Sequence, residues 1–208
     1  MRLSFPFLLL AALTAGSLAS PAPALAADHD ARLLMALAAY HEDPPAEVLD
    51  FLGEDLDDAL EAVARDEDAM RLQRIRALSL LARGGSEAGV KLAVNAATDP
   101  TWPLRLRIAA TRAMSNYQLD RPETLTLLRQ ATHDADAGVR EVAVRGLTLL
   151  ATPEAQGVLT ELRGRERHVA VRVALRDALV KTQPEAALLR EGKLTRTANA
   201  RVESEVVR

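Results

Sequence analysis

The hydrophobic positions of this 208-residue chain recur in a repeated line of residues. The line reads LQRIRALSL at 72–80, LRIAATRAM at 106–114, VREVAVRGL at 139–147 and VRVALRDAL at 171–179. Successive lines begin about 33 residues apart, and a near-constant period in this range is typical of helical solenoids. In such folds neighbouring helical units stack to bury a continuous core.

Each repeated line predicts an amphipathic helix. From Val139, apolar residues follow at 142, 143, 147 and 150, which is the spacing of one stripe on a helix of 3.6 residues per turn. The preceding turn contains Asp136, whose carboxylate is suited to accept the free amide hydrogen bonds of a helix start. Second helices are predicted between the lines, at 87–97, 123–132 and 154–163. The repeating unit is therefore helix A, turn, helix B, turn.

The two ends of the predicted solenoid are less regular. For the first unit the sequence predicts an A helix at 55–64 and a B helix at 70–81, preceded by helices at 30–40 and 45–52. We expect residues 27–54 to form an N-terminal helical cap, because the terminal units of a solenoid must cover its exposed core. The repeat domain is predicted to span 55–190, followed by a polar C-terminal tail at 191–208.

Residues 1–26 have the composition of a secretory signal peptide. Arg2 precedes an apolar run at 5–18, and Ala24-Leu25-Ala26 has the small-x-small pattern of a cleavage site. The apolar run is shorter than the ~20 residues that a membrane-spanning helix needs. The sequence thus predicts cleavage near Ala26, a periplasmic or secreted mature chain, and no membrane span in that chain.

Composition narrows the chemistry of the mature chain. It contains no cysteine, so it has neither a thiol nucleophile nor a disulfide. Only four aromatic residues follow the predicted signal, which disfavours stacking on nucleic-acid bases. The four histidines lie apart, without the spacing of metal ligands. We therefore predict no nucleic-acid partner, no metal and no cofactor.

The lines VREVAVRGL and VRVALRDAL resemble the second helix of the HEAT repeat, whose common form is V-R-x-x-A-x-x-A-L after an Asp-containing turn. The line at 72–80 departs most, with Gln73 in place of the Arg and Arg76 in place of the Ala. The resemblance covers about residues 55–182 and implies an all-α, right-handed α-solenoid of about four antiparallel helix pairs. It leaves function open, because HEAT-like proteins include scaffolds, adaptors and lyases that act on bilin chromophores.

The resemblance also implies two roles for the arginines of the B helices. One is to brace the turn between helices, a set that includes the capping aspartate: Arg107, Arg140, Arg172 and Asp136. The other is to face a partner, because B helices line the concave surface of HEAT solenoids. The arginines expected there are Arg112, Arg145 and Arg176.

Charge is divided between the two halves of the chain. Residues 27–100 hold 16 acidic and 7 basic side chains, whereas residues 101–208 hold 13 acidic and 18 basic ones. The basic half adds Arg165 and Arg167 to the expected partner-binding set, although a solvated helix face is the plainer interpretation. The acidic segment from Glu42 to Asp68 lacks the pattern of a calcium loop, so cation binding there stays open. Trp102, between two prolines, is expected to tuck a turn between repeats rather than to anchor a partner.

Together these features predict an exported, non-enzymatic scaffold or adaptor that binds a protein through its concave face. The prediction that it is not an enzyme rests on the lack of a convergent set of titratable residues. Two alternatives stay open. One is a HEAT-like lyase-type enzyme, and the other is a structural protein that assembles by pairing its acidic and basic ends.

Overall fold

The computed structural model describes residues 22–39, 44 and 46–182, which form ten α-helices and no strand. The helices are α1 Ala22–Ala39, α2 Ala46–Leu49 with a following 3₁₀ segment Asp50–Asp55, α3 Leu56–Arg65, α4 Arg71–Gly84, α5 Glu87–Thr98, α6 Leu104–Tyr117, α7 Pro122–Ala131, α8 Ala137–Leu150, α9 Pro153–Arg165 and α10 Val169–Thr182. The predicted tail at 191–208 and residues 1–21 of the predicted signal lie outside the described residues.

The predicted all-α solenoid is confirmed. Helices α3 to α10 form four consecutive A–B pairs that stack along the chain. The B helices, α4, α6, α8 and α10, pack against one another more extensively than the A helices do. Because the B layer is the more closely packed, it forms the inner, concave side of the stack.

Small residues in the B helices allow this close packing. Ala110 and Ala143 are fully buried where their helices face the core. At Gly146 of α8, an added Cβ would clash with the Ser115 hydroxyl oxygen of α6 and lie 2.8 Å from a Leu128 methyl of α7. No side chain fits in that space, so glycine sets the distance between the second and third pairs.

Side-chain caps and prolines fix where the helices begin. Asp136 accepts hydrogen bonds from the amides of Gly138 (2.7 Å) and Val139 at the start of α8. Pro122 and Pro153 occupy the first positions of α7 and α9, where a missing amide hydrogen carries no cost. These local signals explain why the helices predicted from 55 onward match the observed ones to within a few residues, whereas α1 begins eight residues before the predicted start at 30.

The structure corrects the register of the first unit. The B helices begin at Arg71, Leu104, Ala137 and Val169, so the first two spacings are equal and the last is one residue shorter. Leu72 is 46% exposed whereas Leu106 is 1% exposed, so the two are not equivalent. Gln73 takes the place of Leu106, and Arg74 takes the place of Arg107. The first unit therefore does have the repeated Arg, one residue later than the matching of letters suggested.

The N-terminal segment is held by side chains of α4. Arg76 is buried and donates to the carbonyl oxygen of Leu37 near the end of α1. Gln73 donates to the carbonyl of Leu34 (2.8 Å). The last four carbonyls of a helix lack partners within it, so the bond from Arg76 satisfies one of them, that of Leu37, while the bond from Gln73 adds a second link to α1. The departure at Arg76 thus has a structural reason, since it caps the segment that covers the N-terminal end of the solenoid.

Candidate partner-binding surface

Two of the arginines expected to face a partner stand in line on the B layer. Arg112 of α6 and Arg145 of α8 occupy the same position counted from the starts of their helices, and both are exposed. The Arg145 side chain is 69% exposed and pairs with Glu141 one helical turn earlier, at 2.5 Å. Such an exposed pair adds little to stability. Because most of the Arg145 side chain is exposed, its guanidinium is accessible to a partner.

Apolar and amide side chains flank this pair one turn away. Ile108 is half-buried beside Arg112, and Leu149 is 57% exposed beside Arg145. We call this surface the inner patch and define it by Ile108, Arg112, Asn116, Glu141, Arg145 and Leu149. Arginines bordered by exposed aliphatic groups are a composition typical of protein-binding surfaces.

The third expected arginine, Arg176, does not belong to this line. Because α10 begins 32 residues after α8, the residue equivalent to Arg145 is Asp177, and Arg176 is equivalent to Val144. Val144 is fully buried beneath the next unit, whereas Arg176 is exposed at the end of the described solenoid. Its guanidinium lies 3.3 Å from the Asp177 carboxylate. The arginine line therefore stops at α8, and an acidic residue takes its place in α10.

Arg107 and Arg140 brace successive units. Arg107 makes a bidentate pair with Asp134, at 2.7 and 3.2 Å. Arg140 makes the same kind of pair with Glu166, at 2.7 and 3.0 Å. Each arginine lies on a B helix and each carboxylate in the turn before the next B helix, so these contacts tie one unit to the following one. The family resemblance led us to expect bracing of a turn, but not this link between units.

Glu166 is held as an anion. Its side chain is 3% exposed and accepts hydrogen bonds from Arg140 and from the amides of Arg167 (2.9 Å) and His168 (2.7 Å). The hydrogen bond from Arg140 is the main reason that the pKa of Glu166 falls from 4.5 to about 2. The same bond raises the pKa of Arg140. A carboxylate fixed in this way is a structural tie, since it cannot exchange a proton near neutral pH.

The remaining basic residues of the predicted set lie toward the C-terminal end. Arg165 donates to the Thr132 hydroxyl at 3.2 Å, and Arg167 is exposed beside Glu166. Both line an open pocket at the turn layer, away from the middle of the B helices where the inner patch lies. Arg172 is exposed on α10, and the turn that it would brace falls outside the described residues.

The other sites considered in the sequence analysis have less structural support as binding sites. Within residues 22–39 and 46–182, no three His, Asp or Glu side chains converge as metal ligands would. Glu42 and Asp43 of the acidic segment lie outside the described residues. Trp102 is half-buried in the turn between α5 and α6, donates to Asn95 at 3.1 Å, and lies 6.0 Å from the Arg65 guanidinium. In the part of the chain that the structure describes, no helix is long and apolar enough to cross a bilayer.

The sequence analysis did not single out the carboxylates that pair with the bracing arginines. Asp134 and Glu166 lie one repeat apart, each at the third position before the start of a B helix. An acid at this repeated position, 27 or 26 residues after the repeated Arg, is the signal that would have found them. The equivalent residue before α6 is Thr101, so Arg74 has no such partner and instead donates to the carbonyl of Ala64 at 3.1 Å.

Comparison with known proteins found a solved structure with a similar fold. No protein-family model matches the chain, and no curated protein matches it either. A solved structure does match: the complex of CpcE and CpcF of phycocyanin lyase from Nostoc sp. PCC7120. The match has 18% sequence identity and a TM-score of 0.50, and it covers 71% of this chain and 98% of that chain. The HEAT-like helical repeat predicted from the sequence is thereby confirmed as the fold.

This finding contradicts the prediction that the chain is not an enzyme. That prediction rested on the lack of a convergent set of titratable residues in the sequence. A phycocyanin lyase is built on the same solenoid, so this architecture gives no ground for excluding an enzyme.

Proposed function

We propose that this HEAT-like solenoid acts as a lyase-type protein that holds a protein partner against its inner patch. Two findings support the proposal: the fold that the chain shares with a lyase, and the composition of its concave side. The solved relative is itself a complex of two proteins, which makes a protein the most suitable kind of partner to test first.

The alignment of Arg112 and Arg145 carries the proposal. Each projects from the same position of adjacent B helices, with an aliphatic side chain nearby. A partner that fits this surface presents carboxylates over a partly apolar face. Each guanidinium is then able to form a charge-assisted, bidentate contact when the partner excludes water.

A charge-reversal experiment tests this surface. The double variant R112E/R145E is compared with R129E, which reverses an exposed charge on the A helix α7. Both sets of positions are exposed, so both variants should fold as the wild type does by circular dichroism. We expect the double variant to lose at least tenfold of the affinity for partners recovered by in-cell crosslinking, and R129E to retain it. Equal recovery by all three proteins would remove the inner patch from the proposal.

The lyase-type role needs its own test. Partner proteins recovered from cells with and without this chain are compared by intact mass and by visible absorbance. A partner whose added mass and absorbance both depend on the chain supports the role. A partner that binds the chain but has the same mass and spectrum in both cells would contradict it, while leaving protein binding intact.

Export is a separate proposal that rests on the N-terminal sequence. Helix α1 runs from Ala22, so cleavage near Ala26 would shorten it but keep Leu33 and Leu37, which are buried against the solenoid. We expect the protein isolated from cells to begin close to Ala27 and to fractionate with the periplasm or the medium. An intact N-terminus in the cytoplasmic fraction would contradict export.

A further inference from the structure

An open pocket lies between two successive turns of the solenoid. It has a volume of about 260 Å³ and is bordered by the turn before α8 and the turn before α10. The residues that these turns contribute are Thr132, His133, Asp134, Arg165, Glu166 and Arg167. The pocket is separate from the inner patch, because it lies where the B helices begin rather than along their middle.

The two carboxylates of the pocket are already neutralised. Asp134 accepts two hydrogen bonds from Arg107 and one from the amide of Asp136, at 2.8 Å. Glu166 accepts two from Arg140 and two from backbone amides. Each carboxylate is offset by one guanidinium, so neither gives the pocket a net negative charge.

Two further arginines give the pocket a positive charge. Arg165 and Arg167 are exposed, and among the described residues neither forms an ion pair. Arg165 donates to the Thr132 hydroxyl at 3.2 Å, and that hydroxyl is fixed by its own bond to the carbonyl of Arg129 at 2.7 Å. One N–H group of Arg165 thus holds its guanidinium beside the pocket, and a guanidinium has four more donors for a ligand.

The tie between units does not require these two arginines. They flank Glu166 in the sequence, one on either side. The equivalent acid of the preceding turn, Asp134, has His133 and Ala135 in these places and still forms its bidentate pair. The positive charge around Glu166 is therefore additional to what the repeat needs.

A phosphate group fits this arrangement. Guanidinium groups bind phosphate and carboxylate oxygens through paired hydrogen bonds. A phosphate monoester carries a charge of about −1.5 to −2 at neutral pH and three acceptor oxygens, so it matches two guanidinium groups better than a single carboxylate does. Cavities for drug-sized ligands measure about 300–1,000 Å³, so this smaller pocket has room for the phosphate group and little else.

We propose that this pocket binds the phosphate group of a phosphate monoester, with the guanidinium groups of Arg165 and Arg167 as its donors. The ligand would enter from solvent and leave the bidentate pairs of Asp134 and Glu166 in place. This assignment does not depend on the proposed function, because it concerns a different surface of the solenoid.

Titration of the isotope-labelled full chain with inorganic phosphate, followed by NMR at low ionic strength, tests the site. We expect saturable shifts of the amides of 132–134 and 165–168. The variant R165Q/R167Q should bind phosphate at least tenfold more weakly. Its matched control, R112Q/R145Q, removes the same charge from the inner patch and should bind as the wild type does. All four positions are exposed, so both variants should fold, which their spectra will show.

Two results would overturn the proposal. One is an equal loss of affinity in both double variants, which would indicate a diffuse response to net charge. The other is binding of succinate, a dicarboxylate, as tight as that of phosphate. A phosphoserine peptide and glycerol phosphate then compete separately with inorganic phosphate. Stronger competition by either supports the site and identifies whether a protein or a small molecule carries its phosphate, whereas no competition by either would also contradict a monoester site.

Discussion

The tie between Arg140 and Glu166 offers the sharpest test of how this solenoid is held together. Replacing Arg140 with Met keeps a similar apolar stem but removes both bonds to Glu166 and those to the carbonyls of Asp134 and Ala135, each at 2.9 Å. Glu166 would remain buried with only two backbone amides as partners. Removing one member of a buried pair costs more than the pair is worth, because the other charge is left without compensation.

The pKa of Glu166 sets the scale of this loss. Its fall from 4.5 to about 2 corresponds to roughly 3 kcal/mol, at about 1.4 kcal/mol for each pKa unit, shared between Arg140 and the two amides. Breaking buried ion pairs costs about 3–5 kcal/mol in other proteins. We therefore expect R140M to lower the free energy of unfolding by about 2–4 kcal/mol.

Urea unfolding followed by circular dichroism measures the effect. With an m-value of about 2 kcal/mol per molar urea, the midpoint of R140M should fall by about 1–2 M. R145M is the matched control, because Arg145 occupies the same helix and pairs with a glutamate but is 69% exposed. It should lose less than about 1 kcal/mol. Equal midpoints for R140M and R145M would refute the reasoning.

Lowering the pH gives an independent test of the Arg140–Glu166 pair. A carboxylate whose pKa is lowered in the folded state stabilises the fold above its ordinary pKa and stops doing so as pH falls through the lowered value. The contribution of Glu166 should thus be complete above about pH 5 and decline toward pH 2. E166Q lacks this term. The difference in unfolding free energy between wild type and E166Q should therefore shrink over that range, and a constant difference would contradict the assignment.

Four further substitutions probe other parts of the stack. G146A should lose about 1–3 kcal/mol in urea unfolding, because its methyl group would clash with Ser115, whereas G157A, with open space at its Cβ, should gain up to about 1 kcal/mol. D136A should lose about 1 kcal/mol in the same assay, because the start of α8 loses its cap. R76M should speed amide exchange in α1 at least tenfold while leaving α8 unchanged, because α1 loses the donor to its Leu37 carbonyl.

The fold could be predicted because its signals are local and repeated. Apolar residues at helical spacing, prolines at helix starts and the capping aspartate each act within one or two turns of the chain. The register of α4 was predicted wrongly because the alignment compared residue types, whereas equivalent positions are those with the same burial. Leu72 looks like Leu106, yet the position that enters the core is that of Gln73, whose amide reaches the carbonyl of Leu34.

The arrangement of the arginines depends on contacts that lie far apart in sequence. Arg107 and Arg140 were singled out by their repetition, but their partners lie 27 and 26 residues later, in turns that carry no motif by themselves. Arg176 was placed beside Arg112 and Arg145 because the three lines share many letters. Arg176 is the sixth residue of its line, whereas Arg112 and Arg145 are the seventh residues of theirs, and this offset of one residue turns it by about 100° around the helix, onto a different face.

The bracing ties also explain why the two ends of the described solenoid differ. Each tie joins a B helix to the turn of the unit that follows, so the braced units depend on the next for their buried charge pairs. At the N-terminal end α4 has no earlier B helix beside it, and Arg76 and Gln73 instead hold α1 over the core by its carbonyls. At the other end Arg172 is exposed and lines the open space along α10. Because each observed tie joins a B helix to the turn before the next one, the described residues hold no such tie for α10, and its Val169, Val173 and Val180 are exposed.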